Sequence, residues 1–150
     1  MGNLDPGSGV LEFALSKEVE AYHFYMAVAR RVDNERIREV FEELAAEELE
    51  HKAKLELELM KTGKVVPDGY ESASGPDSDY IVDEDNALLD MDYRDMLLLA
   101  MEKEKAAFRT YVSLMAQTRD EQTQELLLAL AEEEVKHKLR FETEYDVLLK

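Results

Sequence analysis

Glu18 is followed thirty residues later by Glu48-Leu-Glu-His51, and Glu104 is followed thirty residues later by Glu134-Val-Lys-His137. An offset of 86 residues carries all three positions of the first set onto the second. Repetition at constant register constrains the fold more than any other feature of the chain. It calls for two copies of a helical hairpin, related by an approximate two-fold axis, with the six residues brought to one level. Four helices bearing Glu, Glu-x-x-His, Glu and Glu-x-x-His present the ligand set of a two-metal carboxylate site in a bundle core.

The repeat extends past these six residues. Tyr25 matches Tyr111, Leu44 matches Leu130, Ala45 matches Ala131 and Lys52 matches Lys138. Glu18 and Glu48 stand equally far from Asp33, as Glu104 and Glu134 do from Arg119, so each pair shares a height in an antiparallel hairpin. The apolar periodicity predicts an all-α chain forming a single domain over 1–150, with helices at about 9–32, 35–62, 91–118 and 121–149. Asn34 and Asp90 or Asp92 are the expected N-terminal caps, the fourth helix starts after Asp120, and Gly63 ends the second helix. Residues 64–89 hold two of the three prolines with Gly69, Ser72, Ser74 and Gly75, and read as irregular polar chain. Antiparallel neighbours need only about 2–8 connecting residues. A connection of this length can travel the whole bundle, so the expected order is up-down-down-up with a long crossover between helices 2 and 3.

Spacings of three and four place the six polar residues inside apolar stripes. The second helix reads Ile37, Phe41, Leu44, Glu48, His51, Leu55, Leu59, and the fourth Thr123, Leu127, Leu130, Glu134, His137, Phe141, Leu148. The first reads Leu11, Leu15, Glu18, Tyr22, Tyr25, Ala29, and the third Leu97, Met101, Glu104, Phe108, Tyr111, Met115. Four buried, unpaired carboxylates are not tolerable, because desolvation costs several kcal/mol per ion and mutual repulsion adds to it. No basic residue lies on these stripes, whereas two divalent cations balance the charge. Mixed oxygen and imidazole ligation suits iron or manganese and admits zinc or cobalt.

Other candidates carry less. Glu20-Ala-Tyr-His23 has the same spacing, but its repeat positions are Ala106 and Arg109, so His23 reads as a rim residue. Tyr25 and Tyr111 each follow a ligand Glu by seven residues and are the candidate catalytic side chains, as donors of hydrogen bonds, protons or electrons. The acidic run from Asp77 to Asp85 lacks the oxygen spacing and central Gly of a calcium loop. The absence of cysteine excludes thiolate chemistry. A net charge of -17 argues against nucleic-acid and anionic-membrane partners. The N-terminus lacks a basic and then apolar segment, and no apolar run spans a bilayer, so a cytoplasmic location is expected.

On Glu18, Glu48, His51, Glu104, Glu134, His137 and Tyr25, the chain resembles the rubrerythrin and bacterioferritin branch of the ferritin-like superfamily. That resemblance implies a ferritin-like four-helix bundle holding two iron ions. Glu48 and Glu134 would bridge them, Glu18 and Glu104 would each chelate one, and His51 and His137 would each complete one. Rubrerythrins usually carry a rubredoxin domain with four cysteines; here there is none, which implies a separate electron-donor protein. They often carry a further Glu three residues after the third-helix ligand, where this chain has Ala107. Bacterioferritin has a haem-ligating Met where Leu49 stands, so no haem is expected. The chain ends without the short fifth helix common in ferritin cages, so the expected assembly is a homodimer or small homo-oligomer.

The expected function is an oxidoreductase that reduces hydrogen peroxide or oxygen at a Glu4His2 di-iron site. The alternative is a ferroxidase for iron storage or detoxification, toward which net acidity would guide cations. A di-metal oxygenase acting on an organic substrate is a third reading, and needs a larger apolar cavity.

Overall fold

The computed structural model describes residues 6–61 and 91–149. They form four helices: α1 (Pro6–Arg31), α2 (Glu35–Lys61), α3 (Tyr93–Met115) and α4 (Glu121–Leu149). Among the described residues there is no strand, and no helix is long and apolar enough to cross a membrane. Gly63 and the 64–89 connection lie outside the described residues.

Local chemistry sets the helix ends. The Asn34 side chain accepts from the Ile37 backbone N–H at 3.1 Å and caps α2. Asp92 does the same for α3 through Asp95 N–H at 2.9 Å, which places the start at Tyr93 and not at 91. Asp120 caps α4 by accepting from Thr123 N–H at 2.9 Å and from its hydroxyl at 2.7 Å. Two further ends differ from the sequence expectation by more than one residue. α1 begins at Pro6 and not near Gly9, because proline's fixed φ and missing N–H suit a first helical turn. α3 stops at Met115 and not at Thr118. Ala116 and Gln117 donate back to Ser113 and Leu114 in a tightened turn, and the Gln124 side chain donates to Thr118 O at 2.8 Å across the connection.

α1 packs along α2 and α3 along α4, while the two hairpins meet more sparsely. Paired contacts fix the directions. Arg36 meets Glu144, Arg140 meets Glu43 and His137 meets Glu47, so α2 and α4 run antiparallel. Tyr111 reaches Glu18 and Lys103 lies over Phe24, so α1 and α3 do too. The order is up-down-down-up, and the end of α2 and the start of α3 lie at opposite ends of the bundle.

Two apolar layers fill the interior. One gathers Phe24, Tyr25, Phe41 and Phe141, and the other Leu11, Leu15, Leu55, Leu59 and Leu127. Between them lies a polar layer formed by the repeated Glu and His residues. The stripe of α3 is rotated from the one expected. Ala100, Glu104, Tyr111 and Leu114 are buried, while Phe108 is 39% exposed and Met101 and Met115 are only half-buried. Residue 107, not 108, lines the cavity described below, and Phe108 faces outward.

Candidate metal centre

Each helix contributes to the polar layer at mid-length, away from the helix ends. Glu18, Glu48, Glu104, Glu134, His51 and His137 are all at most 3% exposed. Their ligand atoms form two overlapping groups. Oxygens of Glu18, Glu48 and Glu134 and a nitrogen of His51 lie within 4.8 Å of one another, as do those of Glu104, Glu134 and His137. Glu134 belongs to both. Glu48 Oε1 also touches both halves, at 3.4 Å from His51 Nδ1 and 3.5 Å from His137 Nδ1. The two imidazoles stack 5.8 Å apart at 11° on the α2–α4 side. All six residues singled out in the sequence are therefore brought together.

The electrostatics of the layer call for cations. Burial, and then the charges of Glu18 and Glu134, push the Glu48 carboxyl well above the usual carboxylate range. Burial, and then Glu104, push Glu134 up likewise. Burial raises Glu104 to about 8. Both oxygens of Glu48, one each of Glu104 and Glu134, and Nδ1 of His137 are buried without a hydrogen-bond partner. When the carboxyls are ionised these are acceptor atoms facing acceptor atoms, and stranding them costs free energy unless protons or cations sit among them. Lys52 is buried, which the sequence did not suggest, but its ammonium bonds Glu56 at 2.7 Å. Two hard or borderline divalent metals fit the donor set.

The two tyrosines part company. Tyr111 donates its phenolic proton to Glu18 Oε2 across the hairpins, and burial and then the Glu18 charge push its phenol up. Tyr25 is buried against Phe24, Phe41 and Phe141, with its ring edge-on to His137 at 6.5 Å. His23 belongs to no metal-holding group among the described residues; it packs edge-on against Tyr22 at 5.2 Å. Burial, and then Arg30, lower its pKa.

A cavity of about 190 Å³ opens between α1 and α3 and reaches Glu18, Glu48, Glu104 and Glu134. Its lining consists wholly of repeat-related pairs, among them Lys17 with Lys103, Ala21 with Ala107 and Tyr25 with Tyr111. The cavity therefore lies on the pseudo-two-fold axis. Alanine at 21 and 107 leaves the space, and the two lysines bring positive charge to its wall. Sequence reasoning found the tyrosine pair but passed over the lysine and alanine pairs, although the same offset of 86 relates them.

A family model described as Rubrerythrin matches residues 9–145. Two solved structures share the architecture. One is a two-domain protein from Anabaena variabilis with DJ-1/ThiJ/PfpI-like and ferritin-like domains, at TM-score 0.78 and 18% identity. The alignment covers 97% of this chain and 41% of that one, so this chain spans about two-fifths of its length. The other is a hypothetical protein from Pyrococcus furiosus, at TM-score 0.68 and 25% identity over 99% of this chain and 93% of that one. No curated protein sequence matches.

Proposed function

The chain belongs to the rubrerythrin family, and on that premise we propose that it is a di-iron carboxylate oxidoreductase that reduces hydrogen peroxide, or oxygen, with electrons from a separate donor. The observation that carries the reading is the set of buried, partnerless oxygens and imidazole nitrogen at the foot of a small cavity. Glu18, Glu48, His51 and Glu134 would hold one iron, and Glu104, Glu134 and His137, with Glu48 shared, the other. Two iron(II) ions there would supply one electron each, the two that turn H2O2 and two protons into two waters.

The chain's own residues account for the remainder. The cavity, at about 190 Å³, has room for hydrogen peroxide or oxygen beside the carboxylates. Lys17 and Lys103 share its wall with Glu18, Glu20, Glu48, Glu104 and Glu134, and Lys17 is paired with Glu20 at 3.6 Å. Tyr111 holds a proton on Oη, against Glu18 Oε2, at the cavity wall, where a general acid has to stand. The apolar layers above and below keep bulk water from the carboxylates.

The test is to load the protein anaerobically with two Fe(II) per chain and time its oxidation by hydrogen peroxide and by oxygen. Faster reaction with peroxide, followed by re-reduction and repeated turnover, is the expected result. Faster reaction with oxygen, continuing as Fe(II) is added beyond two per chain, overturns it in favour of a ferroxidase.

A further inference from the structure

Two acids with no part in the reading above stand behind the imidazoles, on the side away from the cavity. Glu47 Oε1 lies 2.9 Å from His137 Nε2, and Glu133 Oε1 lies 3.9 Å from His51 Nε2. The offset of 86 relates Glu47 to Glu133 as well. Each imidazole is thus approached by an acid from the opposite hairpin, Glu47 of α2 behind His137 of α4 and Glu133 of α4 behind His51 of α2. The two contacts are unequal. Lys136 holds Glu133 at 2.9 Å, and 3.9 Å is beyond a hydrogen bond, so only Glu47 engages its ring.

We propose that Glu47 is a positioning residue for the metal-binding edge of His137, accepting the Nε2 proton and so turning the Nδ1 lone pair toward the carboxylate layer. A carboxylate only accepts, so the imidazole must donate from Nε2, and a neutral imidazole then has no proton on Nδ1. That Nδ1 is buried and without a hydrogen-bond partner. It faces Glu48 Oε1 and Glu104 Oε1 at 3.5 Å and Glu134 Oε1 at 3.9 Å. Stacking on His51 and the edge contact with Tyr25 hold the ring plane, so the choice left to Glu47 is where the proton sits. Such outer partners typically change metal affinity by roughly 10- to 100-fold. The side chain of Glu47 is 37% exposed, so its truncation opens no void in the core.

The inference rests on the metal reading, but the tautomer belongs to the metal-free chain, so the two fail separately. Long-range 1H–15N spectra of the histidine rings in metal-free protein near neutral pH report the tautomer directly. An anaerobic Co(II) titration then reports affinity, with Glu47→Ala, Glu47→Gln and Glu43→Ala beside the wild type. Glu43 is a half-exposed acid on the same helix, paired with Arg140 at 3.0 Å, and controls for surface charge. The expected result is an Nε2–H tautomer in the wild type and Glu47→Gln, and a mixed tautomer in Glu47→Ala. One Co(II) equivalent should weaken roughly 10- to 100-fold in Glu47→Ala and stay near wild type in Glu47→Gln. An unchanged tautomer and unchanged affinities in Glu47→Ala would overturn the proposal. So would a loss in Glu43→Ala equal to that in Glu47→Ala. A wild type with the expected tautomer that bound no Co(II) would sink the metal reading instead.

Discussion

Tyr25 and Tyr111 occupy equivalent places in the repeat, yet only Tyr111 is seen bonded to a carboxylate of the polar layer. Tyr111→Phe should therefore keep both metals and lose about 10²-fold in peroxide turnover, the usual size of a general-acid contribution. Tyr25→Phe should lose much less, and equal losses in steady-state assays would contradict the assignment. The carboxylates make a second prediction. Glu104 titrates at about 8 when folded, against 4.5 ordinarily. A raised acid favours the folded state while protonated, so its contribution is complete below about 4.5 and disappears as pH rises through about 8. Metal-free protein should lose roughly 3–5 kcal/mol of stability to denaturant between those limits. Glu48 and Glu134 are shifted the same way. Metal-loaded protein should not show this loss, since a cation replaces the protons. The six core residues were legible in the sequence because charge at regular helical spacing among apolar residues demands an explanation. Glu47 was not, because a half-exposed glutamate in so acidic a chain looks like any other until its distance to His137 is measured.

At the level of the helices, caps and stripes were readable to different degrees. Asn34 and Asp120 act as their residue types suggest, since each side chain can satisfy N–H groups that the first turn leaves open. Asn34→Ala should cost about 1 kcal/mol in equilibrium denaturation, with no change in metal content. The end of α3 was less readable, because nothing in Ser113–Thr118 breaks a helix by composition. The stop comes from the Gln124 side chain of the next helix, a tertiary contact. Phe108 was misplaced for a related reason. The apolar pattern of α3 fits two neighbouring faces, and the one that buries Ala100, Glu104, Tyr111 and Leu114 leaves Phe108 exposed. Glu144 is the converse case, an acid buried to 4% exposure because Arg36 of α2 reaches it at 2.7 Å. A charge pair across helices leaves no mark in the periodicity of either.

The whole molecule is two hairpins closed on a polar layer, with a small cavity on the α1–α3 side and the imidazoles on the α2–α4 side. The two-fold relation was visible in the sequence because the offset never varies among the six Glu and His residues. The cavity was not, because alanine and lysine pairs carry chemical meaning only once they share a wall. The absence of cysteine bears on turnover at this scale. With no thiol or rubredoxin-type cluster in the chain, Fe(II)-loaded protein given excess peroxide should consume about one equivalent per chain and stop, resuming when an external reductant is added. Continued consumption without a reductant would mean a different reaction. If four carboxylates and two imidazoles here make a two-metal site, the chain binds two metal ions and loses at least one when one of these residues is removed. The most direct test is to count tightly bound Fe(II) per chain by anaerobic equilibrium dialysis, for the wild type and for Glu134→Ala and His137→Ala of unchanged helix content. The expected count is two for the wild type and at most one for either variant; equal binding by all three would rule out a two-metal site built on these residues.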